Sequence, residues 1–367
     1  MRLRPRILGT ALVAALAATA LGPPAPGQAA AADRFGFAYV DNPILPAAWT
    51  VLDPSRQWGS WKTAFPGLFA EGMRQAPGRY LIKFPQVGAG SRGNVHVTPV
   101  NRTGHYCEIV RWGQSGADEI VDVQCHKPGG ARDDTRFTVL WTYSSGLVPT
   151  VEGSHAWLQW GPAAIVQAYN SAGGGVSVVP GGVGFYQVRL GGVGVAGTLA
   201  GNLQVTAVQP NAGPRRCKVV RWGASGLDII AYVTCFDQGG APVNSEFTLS
   251  YHRERAVYGS FGPPKYTGYL FSAGAGQTNW NYPAGGFGFN SSTPLAPAGR
   301  YLVTYPFLTE KETHAQVTGY GPGANYCHLT QPWTLSAAPA AEVDTICFDN
   351  TGSPAPHGFL STFTSRV

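Results

Sequence analysis

The chain has 367 residues, of which Gly and Pro together are 78, about 21%, and its formal charge is +6. That Gly and Pro share falls short of the roughly 25–30% that marks low-complexity disorder. With 13% charged, 44% hydrophobic and 12% aromatic residues, the composition excludes a collagen, a coiled coil and a charged disordered chain, and leaves one able to build packed cores.

Residues 1–32 read as a secretory signal peptide. Arg2, Arg4 and Arg6 precede an uncharged apolar run from Ile7 to Leu21. Pro23, Pro24 and Pro26 break that run, and Ala29 to Ala32 offer an Ala-x-Ala cleavage site before Asp33. The run is shorter than the roughly 20 residues of a membrane span. No Cys follows it before Cys107, and no twin Arg is present. Sec-type export to the extracellular side is therefore expected, with no transmembrane segment. Without the three leader arginines the charge falls from +6 to about +3. A nucleic-acid partner would need a concentrated basic stripe, and none is expected. The single basic run, Arg215, Arg216, Lys218 and Arg221, reads as a solvated strand start. Abundant Ala, Gly and Pro, with Arg far outnumbering Lys, suggest a bacterium of high genomic GC content.

From residue 33 onward the pattern is β. Short runs rich in Val, Ile, Tyr, Phe and Thr alternate with turn clusters. In the first 113 residues of this region they fall near 35–40, 48–52, 79–84, 94–100, 106–112, 119–125 and 136–143. The pattern then repeats. Cys107-Glu-Ile-Val-Arg-Trp112-Gly-Gln-Ser-Gly116 returns as Cys217-Lys-Val-Val-Arg-Trp222-Gly-Ala-Ser-Gly226, and more loosely as Cys327-His-Leu-Thr-Gln-Pro-Trp333. A second Cys (Cys125, Cys235, Cys347) and a later Phe (Phe137, Phe247, Phe359) keep the spacing. So do the Tyr-led strands after Gly78, Gly184 and Gly299. Such periodicity means a repeated structural unit. The units are 33–145, 155–254 and 266–367, joined by linkers at 146–154 and 255–265. About 100 residues and about seven strands give three tandem β-sandwich units of immunoglobulin-like size, an all-β fold. Strand order is left open. The break at Gln331-Pro332 puts the first hairpin strand of the third unit in doubt.

Six Cys residues in an exported chain are expected to be bridged. Fifteen pairings exist, and the repeat favours Cys107–Cys125, Cys217–Cys235 and Cys327–Cys347, one hairpin disulfide per unit. In that register Ile109 faces Val123 and Arg111 faces Val121, with Glu108 and Gln124 on the opposite side. Each bridge is worth roughly 3 kcal/mol in the chain-entropy picture. A metal site is disfavoured, since no Cys-x-x-Cys pair or His cluster is present.

No catalytic constellation emerges, and no cofactor or metal is implied. The eight His residues show no i, i+4 pair, and no Gly-x-Ser-x-Gly elbow occurs. Trp-Gly-x-Ser-Gly at 112–116 and 222–226 reads as a hairpin tip. Asp118, Glu119, Asp133 and Asp134 lack the order of a calcium loop and read as turn residues, as do Asp237 and Asp349. Trp112, Trp222 and Trp333 recur and read as structural. The hint of function is an extra aromatic segment of about 41–76 with no equal in the other units, holding Trp49, Trp58 and Trp61 with Phe65 and Phe69. A long loop on a β scaffold is where binding surfaces tend to lie, so these three Trp residues are the candidate ligand contacts. The competing reading is that they cover an open sheet edge or an interdomain joint.

The Phe35-Gly-Phe-Ala-Tyr39 opening, the Cys-x-Val/Ile-Val-Arg-Trp hairpins and the Cys-Phe-Asp-x-Gly-Gly-Ala-Pro turn resemble those of a group of secreted β-repeat proteins of high-GC bacteria. The resemblance covers nearly the whole chain after the leader. It implies export and the repeat architecture, and brings no activity with it. The resulting expectation is a secreted, non-enzymatic binding or surface protein, with a polysaccharide or cell-envelope component as partner. The alternatives are a secreted hydrolase with its site between units, or a self-associating coat component.

Overall fold

A computed structural model describes residues 33–147, 153–209, 213–259, 266–273, 278–308, 312–336 and 339–366. The signal-peptide reading of 1–32 and parts of both linkers lie outside these residues. The described chain is all-β, with two short 3-10 turns and three nine-stranded sheets. Among the described residues no helix is long and apolar enough to cross a membrane.

Each unit is a sandwich of two half-sheets. In the first unit, a central half-sheet joins Arg34–Val40, Arg136–Tyr143 and Asn94–Val100. A flanking half-sheet joins Arg79–Phe84, Asp118–His126 and Tyr106–Ser115. Val95, Val97, Val139 and Trp141 from the first pack on Tyr80, Ile82, Ile109 and Val123 from the second. The other two units repeat this plan around Leu203, Leu249 and Val233, and around Val317, Phe363 and Val343.

What the sequence left open is how the units join. Every nine-stranded sheet is shared between two units. The flanking half-sheet of the first unit continues into the central half-sheet of the second through the parallel pair Ile109 and Val208. The second joins the third at Val219 and Tyr320, and the third returns to the first at Leu329 and Val100. One backbone hydrogen bond marks each junction: Gln209 N–H to Ile109 C=O at 2.8 Å, Gly321 N–H to Val219 C=O at 3.0 Å, and Asn101 N–H to Leu329 C=O at 2.8 Å. The sandwiches thus close into a ring, which leaves the inner ends of the half-sheets paired rather than exposed as edges.

Three disulfides, one per unit, join Cys107 to Cys125, Cys217 to Cys235 and Cys327 to Cys347 across the hairpin strands. Beside each, a glycine turns the chain: Gly78, Gly184 and Gly299 all have positive φ. A Cβ at Gly78 would lie 2.5 Å from the Cys125 carbonyl oxygen, and the N–H of Cys125 donates to the Gly78 carbonyl at 2.7 Å. Only Gly meets both demands. The hairpin register departs from the expected one beyond Ile109. A bulge at Val110 sets Arg111 opposite Asp122 and Trp112 opposite Val121. The extra residue turns Trp112 into the core and Arg111 out to solvent. The second unit bulges at the same place. In the third unit the corresponding strand is only Tyr326–Leu329, stopping short of Pro332, which has no N–H for a ladder.

The ring has a polar centre. Each central half-sheet turns its apolar residues to its own sandwich and its polar ones toward the other two units. His96, 1% exposed, approaches Ser250 Oγ at 2.8 Å and Thr206 Oγ1 at 3.2 Å. His314 Nδ1 lies 2.8 Å from Thr138 Oγ1, and His252 Nε2 lies 3.2 Å from Thr362 Oγ1. Thr98 donates to Gln316, and Thr318 to the Val205 carbonyl at 2.9 Å. Burial pushes His96 and His314 down to about 3 and His252 well below its ordinary value, so all three are neutral hydrogen-bonding groups.

In the unfolded chain these imidazoles take up protons near pH 6.5, while the folded protein keeps them neutral to far lower pH. The stability that depends on them is therefore whole above pH 6.5 and is lost as the pH falls toward 3. The loss is about 1.4 kcal/mol per pH unit for each histidine. Urea unfolding midpoints should accordingly drop steeply between pH 7 and pH 4.5. A midpoint that stays level over that range would contradict a neutral histidine axis.

Candidate functional site

The aromatic segment 41–76 is less separate from the repeat than its sequence suggests. It contains two strands with counterparts in the other units. Trp58–Gly59 lies against Arg34–Val40 as Ile165–Asn170 lies against Ser154–Trp160, and Glu71–Ala76 lies against Arg79–Phe84 as Val176–Gly182 lies against Phe185–Leu190. What is particular to the first unit is the chain before and between these two strands, with 3-10 turns at Pro54–Arg56 before Trp58 and at Ser60–Thr63 after Gly59.

The three candidate Trp residues have different surroundings. Trp61 is 2% exposed. Its ring stacks on Phe84 at 6.1 Å, and its indole N–H donates to the Leu68 carbonyl at 3.1 Å. A Cβ at Gly59 would fall 1.8 Å from that ring, so the glycine opens the seat in which Trp61 sits. Trp61 packs as a core residue and also lines the cleft described next, so its contribution to a ligand surface is far smaller than its size suggests. Trp58 is half-buried against Phe35, Phe37 and Tyr258, with Lys62 and Arg366 over its ring at 5.8 and 5.3 Å. Trp49 is 38% exposed, with Lys83 over its ring at 4.8 Å. Phe65, 45% exposed, and Leu68 and Phe69 add apolar surface to the same stretch.

Beside Phe65 opens a cleft of about 1010 Å³. One wall is the 3-10 turn carrying Ser60 and Ala64. The other is the loop 85–93, which arches over the hairpin tip. Gly88 N–H donates to the Ala117 carbonyl at 2.9 Å, and Gly90 N–H to Gln114 Oε1 at 2.8 Å. The Arg92 carbonyl accepts from the indoles of Trp112 (3.2 Å) and Trp141 (3.1 Å). The recurring Trp112 thus anchors the loop from below. Arg34, Arg92, Gln114 and Tyr143 present guanidinium, amide and hydroxyl groups to the cleft. Arg92 lies 3.2 Å from Tyr143 Oη, and Arg34 bonds the Gly88 carbonyl at 2.6 Å. None of these four cleft residues was picked out in the sequence. The Gly88-Ala-Gly-Ser-Arg-Gly93 cluster was the available signal. Beneath the loop, burial pushes Glu119 up to about 8, with Ala89 N–H donating to it at 3.1 Å.

Of the acidic residues read as turn groups, Glu119 is instead buried within the strand Asp118–His126, while the others do that work. Asp134 binds Arg74 and Gly78 N–H, Asp118 accepts from Gln86 N–H, and Asp237 accepts from Ala241 N–H. Among the described residues no group of three or more His, Cys, Asp or Glu could hold a metal ion. The Ser250–His96 pair has the distance of a nucleophile and its base, but both residues are sealed in the ring centre, where substrate has no entry. The basic run was misread. Arg221 is exposed, but Arg216 and Lys218 are buried, not a solvated strand start. Comparison of the chain with protein-family models, with curated proteins and with solved structures returned no match.

The two exposures predict opposite outcomes in unfolding experiments. Trp61→Ala should cost about 3–5 kcal/mol, the range for emptying a buried aromatic site. Trp49→Ala should stay within about 0.5 kcal/mol of the parent. Equal losses in urea unfolding would contradict these placements.

Proposed function

We propose that the protein is exported and acts as a non-enzymatic extracellular binding protein, with a polysaccharide or cell-envelope chain held along the first unit. The observation that carries this reading is the cleft of about 1010 Å³, rimmed by Phe65 and walled by Arg34, Arg92, Gln114 and Tyr143. Its volume is at the upper end of the range for ligand sites. Aromatic faces suit the apolar faces of sugar rings, while guanidinium, amide and hydroxyl groups suit their hydroxyls and acidic substituents. Trp49, Leu68 and Phe69 extend the apolar surface outside the cleft. Three disulfides suit an oxidising compartment, and the leader-like residues 1–32 point the same way.

The test is retention of the mature protein on insoluble polysaccharides and isolated cell-wall material. The parent should be retained, and Phe65→Ala and Arg92→Ala should each weaken retention at least tenfold without lowering the unfolding midpoint appreciably. Failure of the parent to bind any of these materials would overturn the ligand assignment. Retention unchanged in both variants would move the site away from the cleft.

A further inference from the structure

A second site lies where the three units meet. Cys107, Cys217 and Cys327 border a cavity of about 60 Å³, and above them stand Tyr106, Arg216 and Tyr326, the equivalent residue of each unit. The three meet directly. The Arg216 guanidinium lies 4.9 Å from the Tyr106 ring centre and 4.4 Å from that of Tyr326, and the two rings are 5.8 Å apart. Lys218 also lines the cavity. Both cations are removed from water: Arg216 is 8% exposed and Lys218 is 3% exposed.

Neither has a counter-charge. Arg216 gives its Nη2 hydrogens to the Asp237 carbonyl and to Asn350 Oδ1, and its Nε–H is buried without a partner. Lys218 donates to the Pro322 carbonyl at 3.2 Å and to His357 Nε2 at 2.8 Å. Among the described residues no carboxylate lies within ion-pair distance of either. The equivalent of Lys218 in the first unit, Glu108, is committed elsewhere, to His126 at 3.0 Å, Gln124 at 3.3 Å and the Arg215 N–H at 2.9 Å. The equivalent in the third unit is His328, which burial keeps neutral. Desolvating a cation without an opposite charge costs several kcal/mol, and here two cations share one cavity. In such a place an anion would be held by attraction in a low-dielectric setting, where that attraction is strongest.

We infer that this cavity is a binding site for a small tetrahedral oxyanion, phosphate or sulfate. The cavity of about 60 Å³ is several times the roughly 10–15 Å³ that admits a single water, room enough for a small polyatomic anion. The free Arg216 Nε–H and the Lys218 ammonium supply charge-assisted donors to its oxygens. Lys218 is held down to about 7 chiefly by its burial and secondarily by Arg216. A bound anion would restore its charge, so occupation should be accompanied by proton uptake above pH 7. The anion would then link the three units at their axis, apart from the cleft of the first unit.

The experiment is thermal unfolding of the mature protein in phosphate- and sulfate-free buffer. It is titrated with inorganic phosphate or sodium sulfate, with sodium chloride at equal ionic strength as control. A saturating rise of the unfolding temperature with one or both oxyanions, above the chloride control, is expected. Half-saturation should move at least tenfold higher in Lys218→Met and in Arg216→Gln. A rise of the same size in chloride, or half-saturation unchanged in folded variants, would overturn the assignment. If the variants do not fold, crystals of the parent soaked in selenate decide: anomalous density between Arg216 and Lys218 supports the site, and its absence there rejects it.

Discussion

The face of each central half-sheet that points away from its own sandwich carries hydrogen-bonding side chains into a place without water. Asn94, His96 and Thr98 stand there in the first unit, Asn202, Gln204 and Thr206 in the second, and His314, Gln316 and Thr318 in the third. A buried polar atom left unpaired costs about 1–3 kcal/mol, whereas a made hydrogen bond is worth about 1 kcal/mol net. Most partners at this centre belong to another unit: Ser250 and Thr206 for His96, Gln316 for Thr98, Val205 for Thr318. One unit alone would expose this face to water, which would satisfy it. Two units together would bury part of it unsatisfied. The set of three pairs most of this face, leaving Asn94 Oδ1 and His252 Nδ1 without a partner, and the sheets shared across unit borders join the same three units.

That closure separates the tasks of the molecule. The three sandwich cores follow one plan in every unit, so a surface particular to one unit has to lie on the rim. The first unit uses it most fully. Between two strands that the other units also have, it inserts the turns that hold Trp61 inward and carry Phe65 outward. Trp61 and its glycine seat form the joint that fixes the turn. Loop 85–93, tied to Trp112 and Trp141 through the Arg92 carbonyl, fixes the facing wall. A cleft with both walls anchored loses little freedom when a ligand enters, which favours binding.

Most strands of the first unit were legible within a few residues, because period-two alternation and turn residues are local signals, but Trp58–Gly59 and Glu71–Ala76 were read as part of the aromatic segment. The disulfides were legible because the repeat presented three copies of one spacing. The ring was not, and the reason is specific. Asn94-Val-His-Val-Thr alternates as a strand with one wet face does, yet all seven residues of that strand are buried. Sequence alternation reports polarity, not water, and a polar face satisfied by a neighbouring unit looks the same as one satisfied by solvent. Arg216 and Lys218 misled for the same reason. The Arg111 register failed because a bulge leaves no compositional trace. Among the Trp residues, type alone did not tell the anchoring Trp61 from the exposed Trp49; the glycine at position 59 was the local clue.

A repeat that closes on an axis cannot remain identical where its copies touch. Residues at equivalent positions then become neighbours, and three equal charges would repel at short range. At the contact nearest the disulfides the chain places Tyr106, Arg216 and Tyr326, one cation between two rings, an arrangement attractive through the ring faces. Two residues further along come Glu108, Lys218 and His328, again three different residues. Away from the axis the copies keep their turning Gly and their Phe, because there each meets only its own unit. Divergence between the copies therefore maps distance from the axis as well as function. The loosened motif of the third unit, where Trp333 packs against Tyr39 of the first and donates to Thr313, is part of that accommodation.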